Sequence, residues 1–235
     1  MIVGHYPIQG GLVSCHLLVT GDEAVLIDTG LFGARWHIRR LLGRLGLKPG
    51  CLKAVLLTHG HLDHAGNAAW IKHWTAAKIH AHPSEQVHVD GRFPYQGINR
   101  WCGRFECLGR LVSAYRPAAI DVPLADGDRL PFWGGLRVVH LPGHTAGHCG
   151  YFSERHGLLF SGDLFASYRS RASLGPRIFS AFPDLIPASL EKARRLDPPG
   201  MVPSHYFIPD WQLHRRKFDG LCARVAARHR PRAIC

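Results

Sequence analysis

The run Thr58-His59-Gly60-His61-Leu62-Asp63-His64 places four possible metal ligands within six residues, directly after the apolar tetrad Ala54-Val55-Leu56-Leu57. A short apolar run bounded by polar residues reads as a buried strand, and the ligand sites of α/β sheets lie beyond the carboxyl ends of their strands. This stretch is therefore expected to deliver its polar cluster to a pocket. Imidazole and carboxylate donors suit zinc or a similar divalent ion. The competing reading is a polar turn that happens to be rich in histidine, but clustered His and Asp side chains withdrawn from water need partners.

The same theme recurs downstream. Val138-Val139-His140-Leu141 runs into the glycine-bounded turn Pro142-Gly143-His144-Thr145-Ala146-Gly147-His148, with His144 at its apex. Gly157-Leu158-Leu159-Phe160-Ser161-Gly162-Asp163 ends in a carboxylate, and Met201-Val202-Pro203-Ser204-His205 ends in a further histidine. Four strand-like runs, each closing on a donor, imply one edge of a sheet system converging on one pocket.

This ordered set, with Val25-Leu26-Ile27-Asp28-Thr29-Gly30 upstream of it, resembles the metallo-β-lactamase superfamily of metal-dependent hydrolases from Asp28 to His205. The resemblance implies a four-layer αββα sandwich. It makes His59, His61 and His144 the ligands of a first metal, Asp63, His64 and His205 those of a second, and Asp163 the carboxylate bridging them. Asp28 would support the site from behind, as partners of metal ligands orient them. The implied cofactors are two divalent ions, zinc before iron or manganese, which lower the pKa of a bridging water and polarise the substrate. Asp63 would both hold a metal and orient the resulting hydroxide, giving direct hydrolysis of an ester, thioester or lactone of a small molecule. A mononuclear iron enzyme like the persulfide dioxygenases and a nucleic-acid phosphodiesterase are the alternatives.

Within the superfamily, secreted β-lactamases generally lack the bridging carboxylate that Asp163 supplies. Thioesterases like glyoxalase II carry all seven ligands but usually extend into a C-terminal helical region, whereas 30 residues follow His205 here. Acyl-homoserine lactonases usually place a tyrosine three residues after the bridging Asp, where this chain has Ala166; Tyr168 or Tyr206 would substitute only with a different loop geometry.

At 235 residues, 46% hydrophobic and 20% charged, the chain suits one sizeable core, so residues 1–235 are expected to form one hydrolase domain. No basic leader opens it and no stretch approaches 18 uninterrupted apolar residues, so neither secretion nor a membrane partner is expected. Seven scattered cysteines make no disulfide framework and point to the reducing cytoplasm, with Cys102 and Cys107 expected to be buried apolar residues rather than half of a zinc site. Lys plus Arg exceed Asp plus Glu by 29 − 17 = 12. The excess is dispersed, which speaks to solubility or to attraction of anionic small molecules rather than to nucleic acid. Oligomeric state is not legible.

Alternating patterns predict strands at 12–19, 24–28, 78–81, 121–124, 129–132, 136–141, 149–152 and 158–161, and helices at 34–45, 64–74, 186–195 and 212–228, with a helical turn opened by Pro83. Residues 90–118 fit neither half. They read either as a partly helical flap, with Trp101 and Phe105 among the aromatics meeting an apolar substrate, or as a packed helical hairpin. The loop at 164–179 reads either as a second wall, with Tyr168, Arg169 and Arg171 toward a polar or anionic substrate, or as a solvated basic loop.

Overall fold

The computed structural model describes residues 3–31, 33–168 and 170–228. Its first sheet runs β1 (Val3–Gly10), β2 (Val13–Thr20), β3 (Glu23–Ile27), β4 (Leu52–Leu56), β5 (Lys78–Ala81) and β6 (Val122–Pro123) in spatial order. The first three strands pair antiparallel and the remainder in parallel. A second sheet contains β7 (Arg129–Leu130), β8 (Leu136–His140), β9 (Cys149–Ser153), β10 (Leu158–Ser167) and β11 (Gly200–Tyr206), the last two parallel.

Three apolar clusters explain why the sheets stack with helices outside. Leu18, Val25, Ile27 and Leu56 of the first sheet pack against Val138, Tyr151, Phe160 and Val202 of the second. Behind the first sheet, Leu17, Leu26 and Val55 bury Ile38 and Leu42 of α1 (Ala34–Arg44). Behind the second, Val139, Leu159 and Met201 bury Leu190 of α6 (Ile186–Arg195) and Phe218 of α7 (Trp211–Arg228). Each sheet thus has two apolar faces, which is the four-layer αββα order, and its strands read as continuous apolar runs.

Several boundaries differ from those the sequence suggests. β1 carries Gly4 and Pro7, which mask it as a strand; Pro7 is tolerated because β1 is a sheet edge. The single helix expected at 64–74 is two, α2 (Leu62–Ala65) and α3 (Ala68–Thr75). They break at Asn67, whose amide donates to the carbonyls of Thr29, Gly30 and Leu31 instead of facing solvent. The strand expected at 158–161 continues to Ser167 through register shifts around Gly162, a bulge that re-aims the next side chain. Between the sheets' helices, α4 (Gln86–Val89) and α5 (Arg100–Val112) flank the open end. Among the described residues no helix is long and apolar enough to cross a membrane.

Between the sheets lies a histidine pair, His5 Nε2 to His16 Nδ1 at 3.1 Å, ringed by Phe160, Trp133 and Trp211. Burial, with a smaller push from His156, lowers His5 from 6.5 to about 4. Burial followed by its neighbour lowers His16 well below the ordinary value. A histidine whose folded pKa is depressed takes up its proton more readily when unfolded, so its stability contribution is complete above 6.5 and is lost as pH falls toward the folded pKa. At about 1.4 kcal/mol per unit, His5 alone accounts for a cost on the order of 3 kcal/mol in acid. The melting temperature is therefore expected to fall steeply between neutral pH and the His5 pKa, and His5→Phe to flatten that slope; an unchanged slope in scanning fluorimetry would show that the pair is not the acid-sensitive element.

Candidate metal centre

The residues expected to act together converge at the carboxyl ends of the strands. β3 ends at Ile27 and is followed by Asp28, which adopts φ 56°, a left-handed conformation unusual for a side chain with a Cβ and held only where its surroundings over-determine it. They do so here. Asp28 Oδ1 accepts from the Thr58 amide at 2.7 Å, while Oδ2 accepts from Thr58 Oγ1 at 2.8 Å and lies 2.8 Å from His64 Nδ1. Because the Thr58 hydroxyl gives its proton to Asp28, its oxygen is left to accept from His59 Nδ1 at 3.0 Å. The hydrogen-bond network thus assigns both rings the tautomer with the proton on Nδ1 and the lone pair on Nε2.

Those two Nε2 atoms are buried and make no hydrogen bond, although Asp163 Oδ1 stands 3.3 Å from that of His64. Buried polar atoms are nearly always partnered, so two orphans aimed at one space indicate that something absent from the protein belongs there. The surrounding donors agree. Single donor atoms of His59, His61 and His144 lie within 4.8 Å of one another, as do those of His59, His64 and Asp163, and those of Asp63, His64 and His205. His144 Nε2 stands 2.9 Å from His61 Nδ1, and His205 Nε2 stands 3.1 Å from Asp163 Oδ2. All seven expected ligands are therefore gathered, with Asp28 behind them.

Charge is balanced within the cluster. Burial and then the neighbouring histidines hold His59 and His61 well below the ordinary imidazole range, so they present lone pairs at neutral pH. Burial opposes protonation of His64 as well, but the carboxylates of Asp163, Asp63 and Asp28 outweigh it and raise its pKa, so its Nε2 faces negative charge that favours a cation there, a proton or a metal ion in its place. Burial would likewise raise Asp163, yet His205 and His64 hold it well below the carboxylate range.

Supporting residues appear that sequence reasoning passed over. His148 donates from Nδ1 to the Leu141 carbonyl at 3.0 Å and accepts the Asp163 amide on Nε2 at 3.0 Å, fixing the bulge that carries Asp163. Its signal was the second histidine of Gly143-His144-Thr145-Ala146-Gly147-His148. Glu85, which is fully buried, accepts the amides of Gly60 and Gly147 at 2.7 Å each and so ties the two ligand loops together. Burial pushes it up to about 7, against the pull of those amides. Both partners must be glycine: a Cβ on Gly147 would stand 2.8 Å from Glu85 Oε1, and one on Gly60 2.5 Å from His88 Cβ. Glu106 of α5 accepts the Leu62 amide at 3.0 Å and is clasped by Tyr95 and Arg110 at 2.7 Å each. No sequence pattern marks either glutamate.

A cleft of about 570 Å³ opens over the cluster, floored by His61, Asp63, His144, Asp163 and His205. Its walls are largely apolar: Leu12, Leu31, Leu62, Phe105, Pro176 and Phe179. Of the expected substrate contacts, Phe105 and Tyr168 line it, and the Tyr168 hydroxyl lies 2.8 Å from His205 Nδ1 and donates to the Leu12 carbonyl. Trp101 and Arg171 do not line it. Trp101 sits on the outward side of α5 under the Arg104 guanidinium at 4.9 Å, and Arg171 is exposed. Arg169 lies outside the described residues. Cys102 is buried, and desolvation followed by the Glu106 charge pushes its thiol up to about 12 against the pull of a hydrogen bond with Tyr95, while Cys107 is exposed rather than buried.

Removing the charge behind the ligands without changing shape isolates this support. Asp28→Asn is expected to weaken metal retention by about 10- to 100-fold, read as ions remaining after dialysis against a graded chelator; wild-type retention would mean the ring orientations do not depend on Asp28.

A family model for the metallo-beta-lactamase superfamily matches residues 8–205. The probable metallo-hydrolase YybB of Bacillus subtilis (strain 168) is 33% identical over 161 residues, covering 67% of this chain and 63% of that protein. The hydroxyacylglutathione hydrolase GloC of Haemophilus influenzae is 28% identical over 166 residues, 67% of this chain and 69% of that protein. The chain thus spans less than two thirds of the length of YybB. Among solved structures, TTHA1623 in a di-iron-bound form superposes with a TM-score of 0.68 at 28% identity, covering 90% of this chain and 98% of that one.

Proposed function

Because the chain belongs to the metallo-beta-lactamase superfamily, we propose that it is a hydrolase holding two divalent metal ions, His59, His61 and His144 around one, Asp63, His64 and His205 around the other, and Asp163 between them. The observation that carries this reading is the pair of buried Nε2 atoms of His59 and His64 that make no hydrogen bond, on rings that Asp28 orients toward one space. An imidazole-rich donor set favours zinc. Ions bound there supply Lewis acidity and water made acidic enough to ionise near neutral pH.

The protein's own groups divide the remaining work. Asp63, whose side chain is 39% exposed at the cleft floor, is the carboxylate free to accept a proton from attacking water, whereas Asp163 is 11% exposed and engaged by His205. The Tyr168 hydroxyl and the Leu12 carbonyl hold Nδ1 of His205 and so fix its ring. The apolar walls accept a hydrocarbon group and exclude water from the scissile bond. A thioester or ester of an apolar acyl group suits these walls better than a highly charged ligand, and the likeness to a hydroxyacylglutathione hydrolase supports thioester cleavage. All six cysteines among the described residues are free, in keeping with work in the reducing cytoplasm.

A panel of thioesters, lactones, a β-lactam and a phosphodiester, assayed on metal-quantified protein, tests this directly. Chelator-treated protein should lose turnover and regain it with zinc; recovery with iron alone, or with turnover of none but the phosphodiester, refutes the reading. Asp63→Asn is expected to lower kcat/KM by about 10²- to 10⁴-fold, the usual worth of a general base, with an unchanged melting temperature. Phe105→Ala should lower kcat/KM for a medium-chain acyl thioester by about tenfold, equivalent to about 1.4 kcal/mol, and leave the acetyl thioester unaffected. Equal losses on both would place the acyl group elsewhere.

A further inference from the structure

Helix α5 is inside out. Its charged pair, Glu106 and Arg110 at 2.7 Å, faces the protein, and the buried Cys102 lies on the same side. Trp101, Phe105, Leu108 and Val112, spaced i, i+4, i+7 and i+11, form the stripe that a helix normally buries, yet they are 53%, 57%, 62% and 66% exposed. The orientation is locked rather than incidental. A Cβ on Gly103 would stand 2.6 Å from the Tyr95 ring and one on Gly109 2.6 Å from Leu62, so two glycines on the inner face let the helix sit close. Glu106 then pins it to the Leu62 amide.

We propose that this face is an interfacial helix that seats the open end of the cleft on an anionic lipid surface. Two observations select that occupant. Between Arg92 and Arg116 the only acid is the inward Glu106, while Arg100 and Arg104 on the helix itself, and Arg92 and Arg116 at the ends of the segment, are exposed. Trp, Phe and Leu on one face, bordered by arginine, is the composition of helices that lie in the headgroup region of anionic membranes. A second copy of the chain would instead bring these arginines against their own kind with no counter-charge. The stripe also runs into the cleft, because Phe105 belongs to both, and Leu12 on the opposite wall is 67% exposed. A protein partner seated there would close the cleft, whereas a bilayer presents acyl chains to it. The absence of a spanning helix does not bear on this, since a surface helix needs none.

The test is flotation of the full chain with vesicles of phosphatidylcholine, with and without phosphatidylglycerol, alongside Leu108→Ser/Val112→Ser and Arg100→Ala/Arg104→Ala. Neither variant touches the metal cluster or the cleft lining, and unchanged melting temperatures certify folding without reference to any activity. Binding is expected only with phosphatidylglycerol, at least tenfold weaker in each variant, and weakened by salt above about 0.1 M, where exposed charges are screened. Binding that survives Leu108→Ser/Val112→Ser overturns the proposal, because charge alone then holds the protein to the vesicle. No vesicle binding overturns it as well, and a dimer in sedimentation that Leu108→Ser/Val112→Ser dissociates would show that a second copy covers the face.

Discussion

Everything at the open end of this sandwich is arranged around one carboxylate. Asp28 takes a backbone conformation that costs on the order of 1–3 kcal/mol for an ordinary residue, and three hydrogen bonds hold it there. Two of them reach the ligand cluster, one directly through His64 and one through the Thr58 hydroxyl to His59. A single buried charge thereby sets the proton position on two imidazoles. The strained turn, the bridging Thr58 hydroxyl and the two Nε2 atoms left without a hydrogen bond all follow from the same contact.

The next ring of support works by tying loops rather than by touching the cluster. Glu85 spans Gly60 and Gly147, one in each ligand loop, and its pKa near neutrality reflects a carboxylate kept out of water with neutral donors, the Thr145 hydroxyl and the two amides, to answer it. His148 fastens the bulge under Asp163 in the same manner, and Gly162 is needed because a Cβ there would stand 2.6 Å from His148 Nε2. The glycines of these motifs are therefore spaces for neighbouring side chains as much as turn formers.

What could be read beforehand follows from how local each signal was. His59, His61, Asp63 and His64 announce themselves because four donors crowd six residues, and Asp163 and His205 because each closes an apolar run. The apolar clusters behind both sheets repeat the patterns that placed α1, α6 and α7. By contrast, Pro7 hid a strand that only its position at a sheet edge permits, and Asn67 broke a helix through bonds to residues 36 to 38 places away. Glu85 and Glu106 act on amides 25 and 44 residues distant, separations at which periodicity carries no information. Trp101 was read by chemistry alone; the inverted packing of its helix turned it to solvent.

The division of the donors between the sheets has a consequence for assembly. His59, His61, Asp63 and His64 follow β4, whereas His144, Asp163 and His205 come from the other sheet, and every donor triad they form draws on both. Neither half alone brings together any triad of these seven donors, so the site is complete only when the two halves are docked. An ion bound there would join the two halves like a rivet, so its occupancy would report their registration as well as the chemistry.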